Sequence, residues 1–98
     1  MTSPVESTRE QLADAIVRCI DANDVAHGLA WCQQLNRQYP GDAYGWYLAS
    51  FLMRRVHRLQ DALRAIERAV AIEDLTRYRL HQARCLYESG DMPGTTAV

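Results

Sequence analysis

Sliding this chain thirty-four places along itself lays large apolar residues on large ones and small on small. Leu12 falls on Trp46, Ala15 on Ala49 and Cys19 on Met53; further on, Val25 falls on Leu59, Gly28 on Ala62, Leu29 on Leu63 and Cys32 on Ile66. Pro40 falls on Asp74. Self-similarity at such a period marks a chain built from copies of one supersecondary unit. A single copy cannot bury its apolar face alone, so the copies must stack.

Within each copy the apolar spacing is helical. Ser7 followed by Glu10 reads as a capping box, with Leu12, Ile16, Cys19 and Ile20 then on one face. Asn23 and Asp24 interrupt that helix and can cap the next, which carries Val25, Leu29, Cys32 and Leu35. Pro40-Gly41-Asp42 is a stop and restart signal. A third helix with Trp46, Leu48, Ala49, Leu52 and Met53 runs to about Arg55, and a break at Val56-His57 follows. A fourth, from about Leu59 to Ile72, carries Ala62, Leu63, Ile66, Ala69 and Val70. Asp74 is expected to cap a fifth that ends near Ser89, with Gly90 just past its end. No segment alternates apolar and polar without a better helical reading. The prediction is an all-α domain over residues 7–90, about five helices in antiparallel hairpins, with flexible ends at 1–6 and 91–98.

Composition removes several partners. The formal net charge of −1 makes nucleic acid and anionic membrane poor partners. The 11 basic residues are all Arg, which reads as base composition of the genome more than function. Met1 to Arg9 is polar and holds Pro4, unlike a signal peptide, and no apolar run reaches membrane-spanning length. The 3 cysteines are irregularly spaced, so reduced thiols and a cytoplasmic location are expected.

The segment from Trp46 to Asp74 resembles a tetratricopeptide repeat, whose pattern places Trp, Leu, Gly, Tyr, Ala, Phe, Ala and Pro at fixed offsets. Trp46 takes the Trp position, Ala62 the small residue opening the second helix, Ile66 the bulky one and Ala69 the later Ala. Ala49-Ser50 stands for Leu-Gly, Met53 for Tyr and Asp74 for Pro. In the first copy Gly28, Cys32 and Pro40 match, while Leu12 replaces Trp. A third copy has only its first helix, in either of two registers: Leu80 aligns with Trp46 at thirty-four, and Gly90 fits the turn at thirty-three. The resemblance covers roughly residues 9 to 90. It implies a short right-handed α-solenoid of two and a half repeats.

Chemistry has few candidates. His81 and Cys85 are four apart on one helix face, a spacing open to two metal ligands, but no second pair completes a site. Cys19 and Cys32 hold positions that face each other within a hairpin of the resembled family, and buried packing accounts for them. His27 and His57 fall near turns and are expected to be exposed; Asp21, Asp24, Asp42 and Asp74 sit where carboxylates cap amides. Glu67 and Arg68 near Arg64 read as a solvated face. With neither a phosphate loop nor a nucleophile motif, the expectation is a chain that is not an enzyme and holds no metal or cofactor.

In the resembled family the first helix of each hairpin lines a concave groove. That implies lining by Ala13, Val17 and Ile20 from the first repeat, and by Tyr44, Tyr47, Phe51, Arg54 and Arg55 from the second. The third would add Leu80 or His81, with Arg84 and Tyr87. The rings either line the groove or complete the core between hairpins. Such a groove suits an amphipathic helix or an extended peptide with acidic residues. The Lys and Asn clamp that some members use for acidic tails is replaced by Ala13 and Val17. No partner helix follows the fifth, so its face with Leu86, Leu80 and Ala83 is expected to meet a second copy or another protein. The resemblance implies a protein-binding adaptor or small bacterial chaperone. Alternatives are the N-terminal docking region of a larger bacterial enzyme, such as a repeat-containing sulfotransferase, whose segments are similar to Tyr78 through Gly90, or an oligomerisation piece.

Overall fold

The computed structural model describes residues 8–90. They form α1 (Arg9–Asp21), α2 (Val25–Gln38), α3 (Ala43–Arg55), α4 (Leu59–Ile72) and α5 (Thr76–Ser89), and no strand occurs among them. The expected ends at 1–6 and 91–98, and Ser7 with them, lie outside the described residues. Each helix packs on the next, and α3 also touches α1 and α5. The central helix therefore touches all four others.

The thirty-four-residue period is carried into the backbone. Both ends of α1 and of α2 recur thirty-four residues later in α3 and α4. The tight turns recur too: Asn23 and His57 each close a hairpin turn in the left-handed region, at φ 58° and 61°. Asn adopts that conformation with little penalty, because its short amide can bond locally; His has less help.

Capping sets the helix starts. At the start of α1 the capping box is formed by Thr8 and Gln11; Ser7, expected to cap with Glu10, lies outside the described residues. Thr8 Oγ1 accepts from the Gln11 N–H at 3.1 Å, and Gln11 Oε1 accepts from the Thr8 N–H at 2.9 Å. That leaves Arg9 at the first helical position, where it pairs with Asp42, Nη2 to Oδ1 being 3.1 Å. Asp24 caps α2 and Asp42 caps α3, as expected. Asp74 does not cap α5. It binds Arg79 instead, with Nη2 2.7 Å from Oδ2, and Leu75 takes the cap position without a side-chain bond. A carboxylate one residue too early loses the first amides and finds the nearest guanidinium.

The core is apolar and close-packed. Leu12, Ile16, Leu35, Leu52 and Ile66 are all fully buried. Helices α2 and α3 approach closely through two glycines. A Cβ on Gly28 would sit 2.8 Å from Leu52 Cδ1 and 3.2 Å from Cys19 Cβ; one on Gly45 would sit 2.8 Å from Asn36 Oδ1. In the second copy Ala62, fully buried, holds the small position.

The third copy is in the thirty-three register. Tyr78, His81 and Cys85 are buried, as are Gly45, Leu48 and Leu52 thirty-three places earlier. Gly90 repeats the left-handed turn of His57 at the same offset, with φ 80°. The connector is the cause. Four residues (39–42) link α2 to α3, and three (73–75) link α4 to α5, so the later helix starts one place sooner.

Candidate functional site

On α3, Tyr44, Tyr47 and Phe51 stand three and four residues apart, on one helical stripe. Tyr47 is the hub. Its ring centroid lies 5.0 Å from Tyr78, 5.4 Å from His81, 6.1 Å from Tyr44 and 6.5 Å from Phe51. Phe51 stacks on the His81 imidazole at 5.6 Å. Tyr47 and Phe51 are half-buried, packed by their rings against Tyr78 and His81 of α5 and partly open to solvent.

Beneath the rings lies a polar latch. Ser50 is fully buried, and its Oγ donates to the Ala62 carbonyl at 2.8 Å. A hydroxyl has one proton to give. With that proton on Ala62, His81 Nε2, 3.1 Å away, must be the donor to Ser50 Oγ, which assigns the imidazole its tautomer. Cys85 Sγ is 3.8 Å from the same oxygen. One hydroxyl thus ties α3 to α4 and α5. The Ser50 proton points away from His81, the reverse of what activation of a nucleophile requires.

Electrostatics keep His81 neutral. Burial first, then the positive charges of Arg54 and Arg84, push its pKa down from 6.5 to about 4, against the opposing effects of Ser50 and Glu88. Burial raises the Cys85 thiol, and it pushes Cys32 up to about 12 with a smaller contribution from Cys19. These thiols are not poised as thiolates. Among the described residues no group of three or more His, Cys, Asp or Glu is placed to hold a metal ion, and no helix is long and apolar enough to cross a membrane.

The rim comes from α5. Arg77, Leu80 and Arg84, with Tyr47, Phe51 and His81, line a depression of about 160 Å³. Leu80 and Tyr87 are each 66% exposed, the most open large apolar side chains among the described residues. Their openness follows from the register: thirty-three places earlier stand Tyr47 and Arg54.

The residues expected in the groove divide by position. Tyr44, Tyr47, Phe51, Leu80, Arg84 and Tyr87 lie on or around this face. Arg54 is there too, but is committed to Glu88 at 3.0 Å. Arg55 covers the Phe51 ring at 5.2 Å and donates to the Ile20 carbonyl at 3.0 Å, tying α3 to the end of α1. Ala13 is buried in the core, and Val17 and Ile20 pack half-buried against it, so these three expected groove residues expose little surface. His81 is 6% exposed and forms floor rather than rim. On the face expected to meet a further helix, Leu86 packs against the cluster of Ala62, Leu63 and Cys85, while Leu80 stays open.

Three participants had little signal in the sequence. Ser50 stands where the repeat pattern has Gly, and a hydroxyl there was the available clue. Tyr78 and Arg77 could be placed only after the register was known. A second, larger furrow of about 520 Å³ lies along α2 and α3, lined by Leu29, Cys32, Asn36, Trp46 and Met53 among others. Its Trp46 is held by a bond from Nε1 to the Pro40 carbonyl at 3.0 Å and by Arg68 over its ring at 4.8 Å.

No family model, curated protein or solved structure matches this chain.

Proposed function

We propose that this protein is a non-catalytic interaction module, an adaptor or small chaperone of tetratricopeptide type, whose helix hairpins form a short solenoid holding a peptide segment of another protein. The observation that carries the reading is the pairing of a ring-lined floor, Tyr47 and Phe51, with a rim of open Leu80 and two arginines. Exposed aromatic and Arg side chains are the usual anchors of protein recognition. A dimer through α5 would draw on the same two exposed side chains, Leu80 and Tyr87.

The test is selection from an unbiased displayed-peptide library on the wild type, followed by rebinding to Phe51→Ala and Arg84→Glu variants of equal helicity. Selected peptides should be acidic and amphipathic and should lose most of their binding to both variants. Peptides that bind both variants undiminished would remove the site from this face.

A further inference from the structure

We infer that the face between α3 and α5 selects a partner helix bearing two carboxylates seven residues apart, with one leucine-sized apolar side chain between them. This rests on the proposed groove and names what it recognises.

Three observations set the code. Arg77, Leu80 and Arg84 lie on one stripe of α5, at steps of three and four residues. Two turns separate the arginines, about 10.5 Å along the axis. Among the described residues neither is paired with a carboxylate, although Arg77 also lies over the Tyr78 ring at 5.5 Å. The other two cations near this face are engaged: Arg54 with Glu88, and Arg55 with the Ile20 carbonyl and Asn23. Of the cations that line the depression itself, Arg77 and Arg84, neither has its charge met by a carboxylate among the described residues. Between them the depression of about 160 Å³ is floored by Tyr47, Phe51 and His81, room for one branched apolar side chain.

The backbone requirement chooses a helix. An extended segment presents unpaired N–H and C=O groups to whatever it lies on. Rings and Leu80 offer almost nothing to bond them, while a helix satisfies its own backbone and shows side chains only. The separation of the arginines chooses two carboxylates over one polyanion. A phosphate binds where cations converge on it, and side chains two turns apart favour separate charges. In a partner helix the matching positions are i and i+7, with the apolar residue at i+3 or i+4.

The chain itself carries this spacing once within its described helices, at Asp14, Val17 and Asp21 of α1, where both carboxylates are exposed, Val17 is half-buried against the core, and Asp14 is bonded to Arg18 at 2.9 Å. A second copy is the competing occupant.

The experiment uses the full chain and a designed alanine-rich helical peptide with Glu, Leu and Glu at i, i+3 and i+7. Binding is read by fluorescence anisotropy at low salt, with helicity of every species checked. Moving one Glu to the opposite face, or replacing the Leu by Ala, should weaken binding about tenfold. Arg77→Glu with Arg84→Glu should do the same, and a peptide with Lys at both acidic places should restore binding to that variant. Equal binding of the moved-Glu peptide, with loss on Phe51→Ala, would overturn the spacing and leave the groove standing. Binding indifferent to Phe51→Ala and to both charge reversals would remove the groove as well. Wild-type self-association that blocks the peptide and is abolished by Asp14→Lys with Asp21→Lys would assign the face to a second copy and overturn a separate partner.

Discussion

Helix α3 is packed by unlike chemistry on its two sides. Toward α2 it meets Cys32 and Leu35 with its own Leu48 and Leu52, drawn close through Gly28 and Gly45. The buried polar atom of that contact, Asn36 Oδ1, has no hydrogen-bond partner among the described residues. Toward α5 it presents Ser50 to His81 and Cys85, beneath a layer of rings. The first side holds by shape, the second by shape and by a satisfied set of donors and acceptors. A junction held by shape is sensitive to volume and indifferent to pH. A polar one fails when any member loses its partner or changes charge.

The largest effect should come from breaking the dry side. Leu52→Ala removes a fully buried side chain where glycines leave the backbone little room to collapse, and should cost about 2–5 kcal/mol in urea unfolding. A cost below that of the Ser50 variant would invert the comparison.

Acid should act on the polar side alone. The fold holds His81 neutral with a pKa of about 4, whereas the unfolded chain takes up the proton near 6.5. Between those values the unfolded state binds more protons. The stability contributed by neutral His81 is therefore complete above pH 6.5 and lost as pH falls toward 4, up to about 3 kcal/mol. Arg54, Arg84 and Glu88 face this imidazole and travel with it. His81→Phe should flatten that window relative to wild type; parallel pH profiles for the two would show that His81 is free to take up the proton in the fold.

The smallest of the three effects is expected for Ser50→Ala, about 1–3 kcal/mol, because it strands the buried His81 N–H. The double variant Ser50→Ala with His81→Phe removes donor and acceptor together and should lose less than the two single losses added. Strict additivity would mean that the latch does not act as a unit.

Much of the fold was legible because repetition is a local signal read twice. Leu12 and Trp46, or Gly28 and Ala62, declare the same position in two hairpins, and the helix bounds recur with them. The site was only partly legible. Tyr44, Tyr47 and Phe51 could be placed on one stripe, but whether a half-buried ring is floor or core depends on what α5 puts over it. Asp74 misled because a carboxylate near a helix start can cap it or pair with a nearby arginine, and Arg79 was close enough to win.

By itself the sequence determined five helices, their order and their approximate ends, since periodicity, caps and left-handed turn residues act within a few positions along the chain. Only the tertiary structure decided that the third copy slips to thirty-three, that Ser50 binds His81, and that Arg77 and Arg84 have no carboxylate partner among the described residues. Those outcomes depend on a three-residue connector and on contacts between residues thirty or more apart. No local preference encodes such distances; packing the helices together does.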